Sequence, residues 1–438
     1  MQSLDLDMHA LIARLYPICR SITGDGVRQT LRILNELIPL EVNEVATGTK
    51  VFDWTIPKEW NIRDAWIKDS RGQKLIDFAK LNLHVVSYSS PVHRRMRLAE
   101  LREHLFTIPG QPVWVPYRTS YYEESWGFCL SEEQLLQFSD DEEYEVLIDS
   151  SLDDGHLTYG EFVLQGEEEL EVLISSHVCH PSLANDNLSG VAVAVKLARV
   201  LAARPRRYTY RFLFIPGTIG SITWLARNED RLSRIRHGVV LTCLGDVSDL
   251  TYKRSRLGDA EIDRVFIHIL RHSCQLYSVI DFVPYGYDER QYCSPGIDLA
   301  VGCLMRGRHG EFPEYHTSAD NLDFVKTAPL EDSFSKCLAA FGILEGNRVY
   351  VNQKPKGEPQ LGKRGLYGNG QTVGEERQRA YLWVLNLSDG KHSLLDIAER
   401  ANLPFHVIKQ AADALAATDL LTLQQGAMNT PGEGIRSK

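Results

Sequence analysis

The 438-residue sequence has no apolar run of about eighteen residues, the length a membrane-spanning helix needs. Its opening, MQSLDLDMHALIARLY, carries acids where a secretory signal needs a basic stretch and then an apolar one, so a cytoplasmic location is expected. Eight cysteines, at 19, 129, 179, 243, 274, 293, 303 and 337, form no CxxC pair. That argues against a disulfide framework and against a cysteine zinc site, and most are expected to be reduced and buried. Cys179, between two histidines, is the exception. Positive charge is also scarce. With 48 Lys and Arg against 58 Asp and Glu, the net charge of -10 argues against a dedicated nucleic-acid protein. What is present is enough apolar residue, 43%, to bury substantial cores in more than one domain.

The chain is organised around Leu173 to Ala194, LISSHVCHPSLANDNLSGVAVA. A short apolar run of strand type stops at His177, His180 and Asp186 follow in a polar loop, and an alanine-rich run from Gly190 reads as a buried helix. In an α/β sheet the strand ends are where ligands bind. Imidazoles and a carboxylate gathered there point to a divalent metal, zinc before others because it accepts nitrogen and oxygen donors. The same residues also admit a plainer reading. His177 would be a satisfied strand-end histidine, Asp186 a helix cap, and Asn185 and Asn187 turn residues.

Residues 1–50 show helical periodicity broken at Thr23–Gly26, where Arg20 and Ser21 either pack or face a site. Residues 51–155 change to short tryptophan- and tyrosine-bearing strands, an inserted β-rich domain. Its Trp54, Trp60, Tyr121, Tyr122 and Trp126 read as core and rim, or as a pocket wall. Residues 156–351 alternate strands and helices, which predicts an α/β layer with a mostly parallel sheet flanked by helices. Within it, Asp246 and the segment GEFPEYHTSADNLDFV, with His316 and Asp320, lie at strand ends or in loops beside them. A polar linker, 352–375, leads to a predicted winged-helix module at 376–425 and a disordered tail at 426–438. From Gln353 onward there are 11 Lys and Arg and 9 Asp and Glu, a net +2, a poor footprint for DNA. Packing against its own or another subunit is expected instead, in a homo-oligomer.

The strings CRSITGDGVRQTL, KEWNIRDAWI, NLHVVSYSSPV, SSHVCHPSLANDNLSG, DERQYCSPGIDL, GEFPEYHTSADNLDFV and LSDGKHSLLDIA cover nearly the whole chain. On these the sequence resembles a bacterial aminopeptidase-like family, a domain-of-unknown-function family related to the M28-type zinc aminopeptidases. The resemblance implies their fold, with the inserted β domain and the C-terminal winged helix. It implies a centre of one or two zinc ions with His177 as first histidine, Asp186 as bridging aspartate, Asp246 as later acid and His316 as late histidine. His180 would replace or supplement a ligand, and Asp320 would orient His316.

The chain departs from that pattern where the strand RFLFIPGTIGS ends. Paired glutamates are expected there, and Gly217 and Thr218 stand instead in the general-base and metal-ligand positions. Loss of a general base removes roughly two to four orders of magnitude in rate. Glu289, Glu311 and Glu314 are the substitutes, with Glu314 nearest His316 in sequence. The function expected is a metal-dependent hydrolase cleaving an amide or peptide-like bond, with a small peptide-like or acyl-amide substrate and no membrane or nucleic-acid partner. The alternatives are a silent binding or scaffold protein and a ligand-sensing winged-helix regulator.

Overall fold

A computed structural model describes residues 6–367 and 374–424. The expected disordered tail and residues 368–373 of the linker lie outside the described residues. The chain forms two compact units, Met1–Arg264 with Gln275–Leu338, and Val265–Cys274 with Ala339–Lys438.

The first unit is built on an eight-stranded sheet. Four central strands run parallel in the order Thr209–Ile215, Glu171–His177, Ile235–Leu241 and Val301–Met305. The sequence explains their placement. TYRFLFI, EVLISSH and VGCLM are buried at every residue, as strands covered on both faces must be. Outside them the pairing turns antiparallel, to His156–Leu164 and Glu41–Ala46 on one side and to Leu250–Lys253 on the other, where Tyr277–Ile280 then pairs parallel as the eighth strand. Glu41–Ala46 replaces the end of what the sequence suggests is helix: the helix stops at Asn35, and EVNEVA pairs as a half-exposed edge strand. In the helix before it, Leu31 packs closely on Gly160, where a Cβ would lie 2.8 Å from the leucine. Helix Gly190–Ala202 is buried from Gly190 to Ala198, matching its alanine and valine content.

The inserted region forms a four-stranded antiparallel sheet, Lys74–Asp77, Glu59–Lys68, Glu143–Asp153 and Val92–Arg97. Ile67, Ile76, Met96, Tyr144 and Ile148 are in its own core. It is also joined to the main core, because Trp60 and Tyr88 stack at 5.9 Å within the cluster that holds Tyr159 and Ile215. Trp54 and Tyr122 are the rim, edge to face at 5.4 Å. One loop of the insertion reaches the His316 segment: the Tyr117 N–H donates to the His316 carbonyl at 2.7 Å and the Ser318 N–H to the Val115 carbonyl at 2.8 Å.

The second unit carries a three-stranded antiparallel sheet with Val349–Asn352 in the middle, between Asp389–Ser393 and Leu421–Leu423. Helices Glu375–Leu387, Leu394–Ala401 and Phe405–Ala416 complete it. Its first strand therefore precedes the polar linker. Ser393 starts a helix as expected, in a reciprocal cap with Asp396. Among the described residues no helix is long and apolar enough to cross a membrane.

Candidate metal centre

His177 is the last residue of its parallel strand and is buried. The chain then leaves the sheet and returns to it through Ala184–Ser189, where Asp186 and Asn187 depart from helical angles and the Asp186–Asn187 peptide is cis. The Asp186 carboxylate lies against His177, Oδ1 to Nε2 at 2.9 Å. Its other oxygen, Oδ2, lies 2.9 Å from His316 Nε2 and 3.2 Å from His180 Nδ1. One buried carboxylate is thus reached by three imidazoles.

Electrostatics divides the three. Burial pushes His177 down to about 3 against the pull of Asp186, and burial also lowers His316, so both are neutral near pH 7. Burial would lower His180 too, but Asp186 and Cys179 outweigh it and raise it well above the ordinary value. Asp186 is opposed by burial and held well below the usual carboxylate range by His180, His177 and His316. His316, with φ of 55° and a side chain 33% exposed, is the accessible member. It stacks on Tyr315 at 3.9 Å and meets Tyr117 edge-on at 5.1 Å.

The supporting groups are buried and specific. Asp320 accepts the backbone N–H groups of Asn185 and Asp186, at 2.5 and 2.9 Å, so it fixes the Asp186 loop rather than orienting His316. Burial raises its pKa to about 7. Arg20 is buried and donates to the His180 carbonyl at 2.9 Å and the Leu15 carbonyl at 2.6 Å, holding the loop from behind. Ser21 pairs with Ser87 of the insertion at 2.8 Å.

Asp246 is not brought to the cluster. Its oxygens accept the Asn185 amide at 2.8 Å and the N–H groups of Gly307 and Ser248 at 3.0 and 2.7 Å. Among the described residues, two groups each have their donor atoms within 4.8 Å of one another: His177, His180 and Asp186, and Asp186, Cys243 and His309. Cys243 and His309 are not singled out from the sequence. Both follow the ends of parallel strands, and that position was the available signal.

No carboxylate candidate stands at the expected base position. Glu289 is fully buried in an ion pair with Lys253 at 2.5 Å and accepts the Tyr287 N–H at 3.2 Å. Glu311 lies 3.4 Å from Arg308. The Glu314 carbonyl accepts the Thr317 N–H and hydroxyl, while its carboxylate makes no polar contact among the described residues. The space beside Gly217 belongs to Tyr287: a Cβ on Gly217 would lie 2.1 Å from the tyrosine hydroxyl oxygen. The Tyr287 ring stacks on His177 at 3.5 Å, and its hydroxyl lies 3.3 Å from His180 Nε2 and 3.4 Å from Cys179 Sγ. Thr218 opens the next helix, and its N–H donates to Asp288 at 2.7 Å. A cavity of about 600 Å³, lined in part by Tyr16, Trp60, Phe78 and Asn82, borders the His180 loop through Ser182, but no cluster residue lines it.

Comparison with known proteins agrees with this architecture. Residues 9–347 match a family described as a domain of unknown function, DUF4910, and residues 348–423 match a winged helix-turn-helix family. A Clostridium acetobutylicum protein, provisionally named a polysaccharide biosynthesis protein with aminopeptidase-like domain, is 54% identical over 420 residues, 95% of this chain and 96% of its own. A crystal structure from the same organism, of a provisionally named peptidase, superimposes with a TM-score of 0.92 at 53% identity over 95% of this chain and 96% of that one. A zinc aminopeptidase of Bacillus subtilis, BSAP, matches with a TM-score of 0.56 at 13% identity over 77% of this chain and 94% of that one, a likeness of fold alone. The chain belongs to the DUF4910 family, an aminopeptidase-like fold joined to a C-terminal winged helix.

Proposed function

We propose that this chain is a metal-dependent hydrolase of the aminopeptidase type, acting on an amide or peptide-like bond of a small substrate. The observation that carries this reading is the buried Asp186 carboxylate with His177, His180 and His316 around it at the ends of parallel strands. The donors fit a divalent transition metal, because two imidazoles and a carboxylate within 4.8 Å of one another are the mixed nitrogen and oxygen set that zinc accepts. His177, His180 and Asp186 would hold the ion, with His180 giving up its proton to solvent in exchange for it, and when bound the ion would supply Lewis acidity toward a carbonyl and make a water molecule more acidic.

The rest falls to the chain's own side chains. His316 is neutral, partly exposed and backed by Asp186, so it is placed to accept a proton in the absence of a carboxylate at Gly217. Burial raises the Tyr287 phenol well above its ordinary value, so its hydroxyl keeps its proton and can donate to developing negative charge. Asp320 and Arg20 hold the loop backbone in register.

A second reading, a binding protein that keeps the fold without turnover, is favoured by Tyr287 filling the space beside Gly217. Turnover of aminoacyl and acyl-amide substrates by the zinc-loaded chain separates the two. Activity lost in His177→Ala and in His316→Gln supports the hydrolase. Zinc uptake without turnover of any such substrate supports the binding protein.

A further inference from the structure

The loop that follows strand Ile235–Leu241 is fixed by the Asp186 segment. Three consecutive N–H groups are each taken by one of its side chains: Cys243 by Asn187 Oδ1 at 3.2 Å, Leu244 by Ser189 Oγ at 2.8 Å, and Gly245 by Asn185 Oδ1 at 2.8 Å. Asn185, Asn187 and Ser189 alternate with Asp186 and Leu188, so the segment that presents Asp186 also sets the position of Cys243. Cys243 takes a φ of 49°, in the left-handed region that non-glycine residues rarely adopt. Its Sγ lies within 4.8 Å of an Asp186 oxygen and of a ring nitrogen of His309. His309 is buried in the turn after strand Val301–Met305, and its Nε2 is 3.1 Å from Thr242 Oγ1, next to Cys243.

We propose that Cys243 is a metal ligand, and that Asp186, Cys243 and His309 form a sulfur-bearing half of the centre. The proposal rests on the metal reading above. Charge supports it. His177, His180 and Asp186 bring a single negative charge to a divalent ion, whereas the Asp186 carboxylate and a Cys243 thiolate together balance it. Gly217 and Thr218 bring none, and Asp246 is committed to Asn185, Ser248 and Gly307. Forming the bond replaces the S–H proton, which leaves to solvent, and nothing is oxidised. A thiolate also biases the centre toward zinc and against magnesium or calcium.

The test uses Co²⁺ alone as probe on the full chain, read by absorption. Thiolate ligation gives a strong near-ultraviolet sulfur-to-cobalt band, separate from the weaker visible bands of bound cobalt. The expected result is a sulfur band in the native chain, retained in Cys179→Ser and lost in Cys243→Ser, with visible bands in all three. Visible bands without a sulfur band in the native chain overturn sulfur ligation and leave the metal centre standing. A sulfur band that survives Cys243→Ser, or disappears in Cys179→Ser, also overturns the assignment. No cobalt uptake by the native chain overturns the metal reading and this proposal together. Where Cys243→Ser fails to fold, a native band kept in Cys179→Ser supports a sulfur ligand other than Cys179, as proposed, and a missing native band or its loss in Cys179→Ser still overturns the assignment.

Discussion

Gly217→Ala should destabilise the native chain because of one neighbour. A Cβ there would lie 2.1 Å from the Tyr287 hydroxyl oxygen and 2.5 Å from ring carbons, inside van der Waals contact. The tyrosine has little room to yield, since it is buried and its ring stacks on His177 at 3.5 Å. Gly217 is not among the positive-φ glycines, so the alanine backbone is otherwise compatible. Overpacking of this kind costs about 1 to 3 kcal/mol. Once Tyr287→Ala has emptied the space, the same substitution should stabilise by roughly 0.4 to 1 kcal/mol, because alanine restricts the unfolded chain more than glycine does. The two backgrounds should therefore differ by about 1.5 to 4 kcal/mol with a change of sign, a coupling large enough to resolve. Urea denaturation of the four variants reads it directly. A Gly217→Ala effect that is small and equal in both backgrounds would refute the idea that Tyr287 occupies the base position.

The buried Lys253–Glu289 pair should behave as structure rather than catalyst. Glu289→Gln should cost about 3 to 5 kcal/mol by leaving Lys253 unpaired, and Lys253→Met with Glu289→Leu should recover most of it in the same denaturation assay. Acid stability should report on Glu59, which burial would raise but which Arg28, the His156 N–H and the Asn61 amide hold down to about 2. A depressed carboxylate stabilises fully above its ordinary value of 4.5 and loses that contribution as pH falls toward 2. Allowing for solvent screening, Glu59→Gln should be less stable than the native chain by about 1 to 2 kcal/mol at neutral pH, and the gap should close in acid. A gap that persists unchanged at low pH would contradict this. Full-length chain should fail to retard duplex DNA even at low salt, given the net +2 beyond Gln353; salt-sensitive retardation would favour a regulator.

The fold was legible where the sequence pattern is strong. Fully apolar strands such as TYRFLFI and VGCLM announce a covered parallel sheet, and polar residues that interrupt such a run, as at His177, mark its functional edge. EVNEVA was harder to read, because a half-exposed edge strand after a helix keeps a mixed pattern. In the site, His177, Asp186, His180 and His316 converge because each lies at a strand end or in the loop beside it. Asp246 was the more conspicuous residue at its strand end, whereas the chain gives its carboxylate to Asn185 and turns Cys243 toward Asp186. A cysteine in VVLTCLG reads as core, and nothing local signals that Asn185, Asn187 and Ser189 reach across to hold it. Tyr287 lies 70 residues beyond Gly217, and only the folded chain sets one against the other.

Metal content of the purified full chain, by elemental analysis after zinc supplementation and desalting, tests the central claim most directly. Native protein should retain about one or two zinc per chain, as the donor set allows, and His177→Ala and Asp186→Ala should lose them. A native chain without metal, or full retention in both variants, would contradict a metal centre at Asp186.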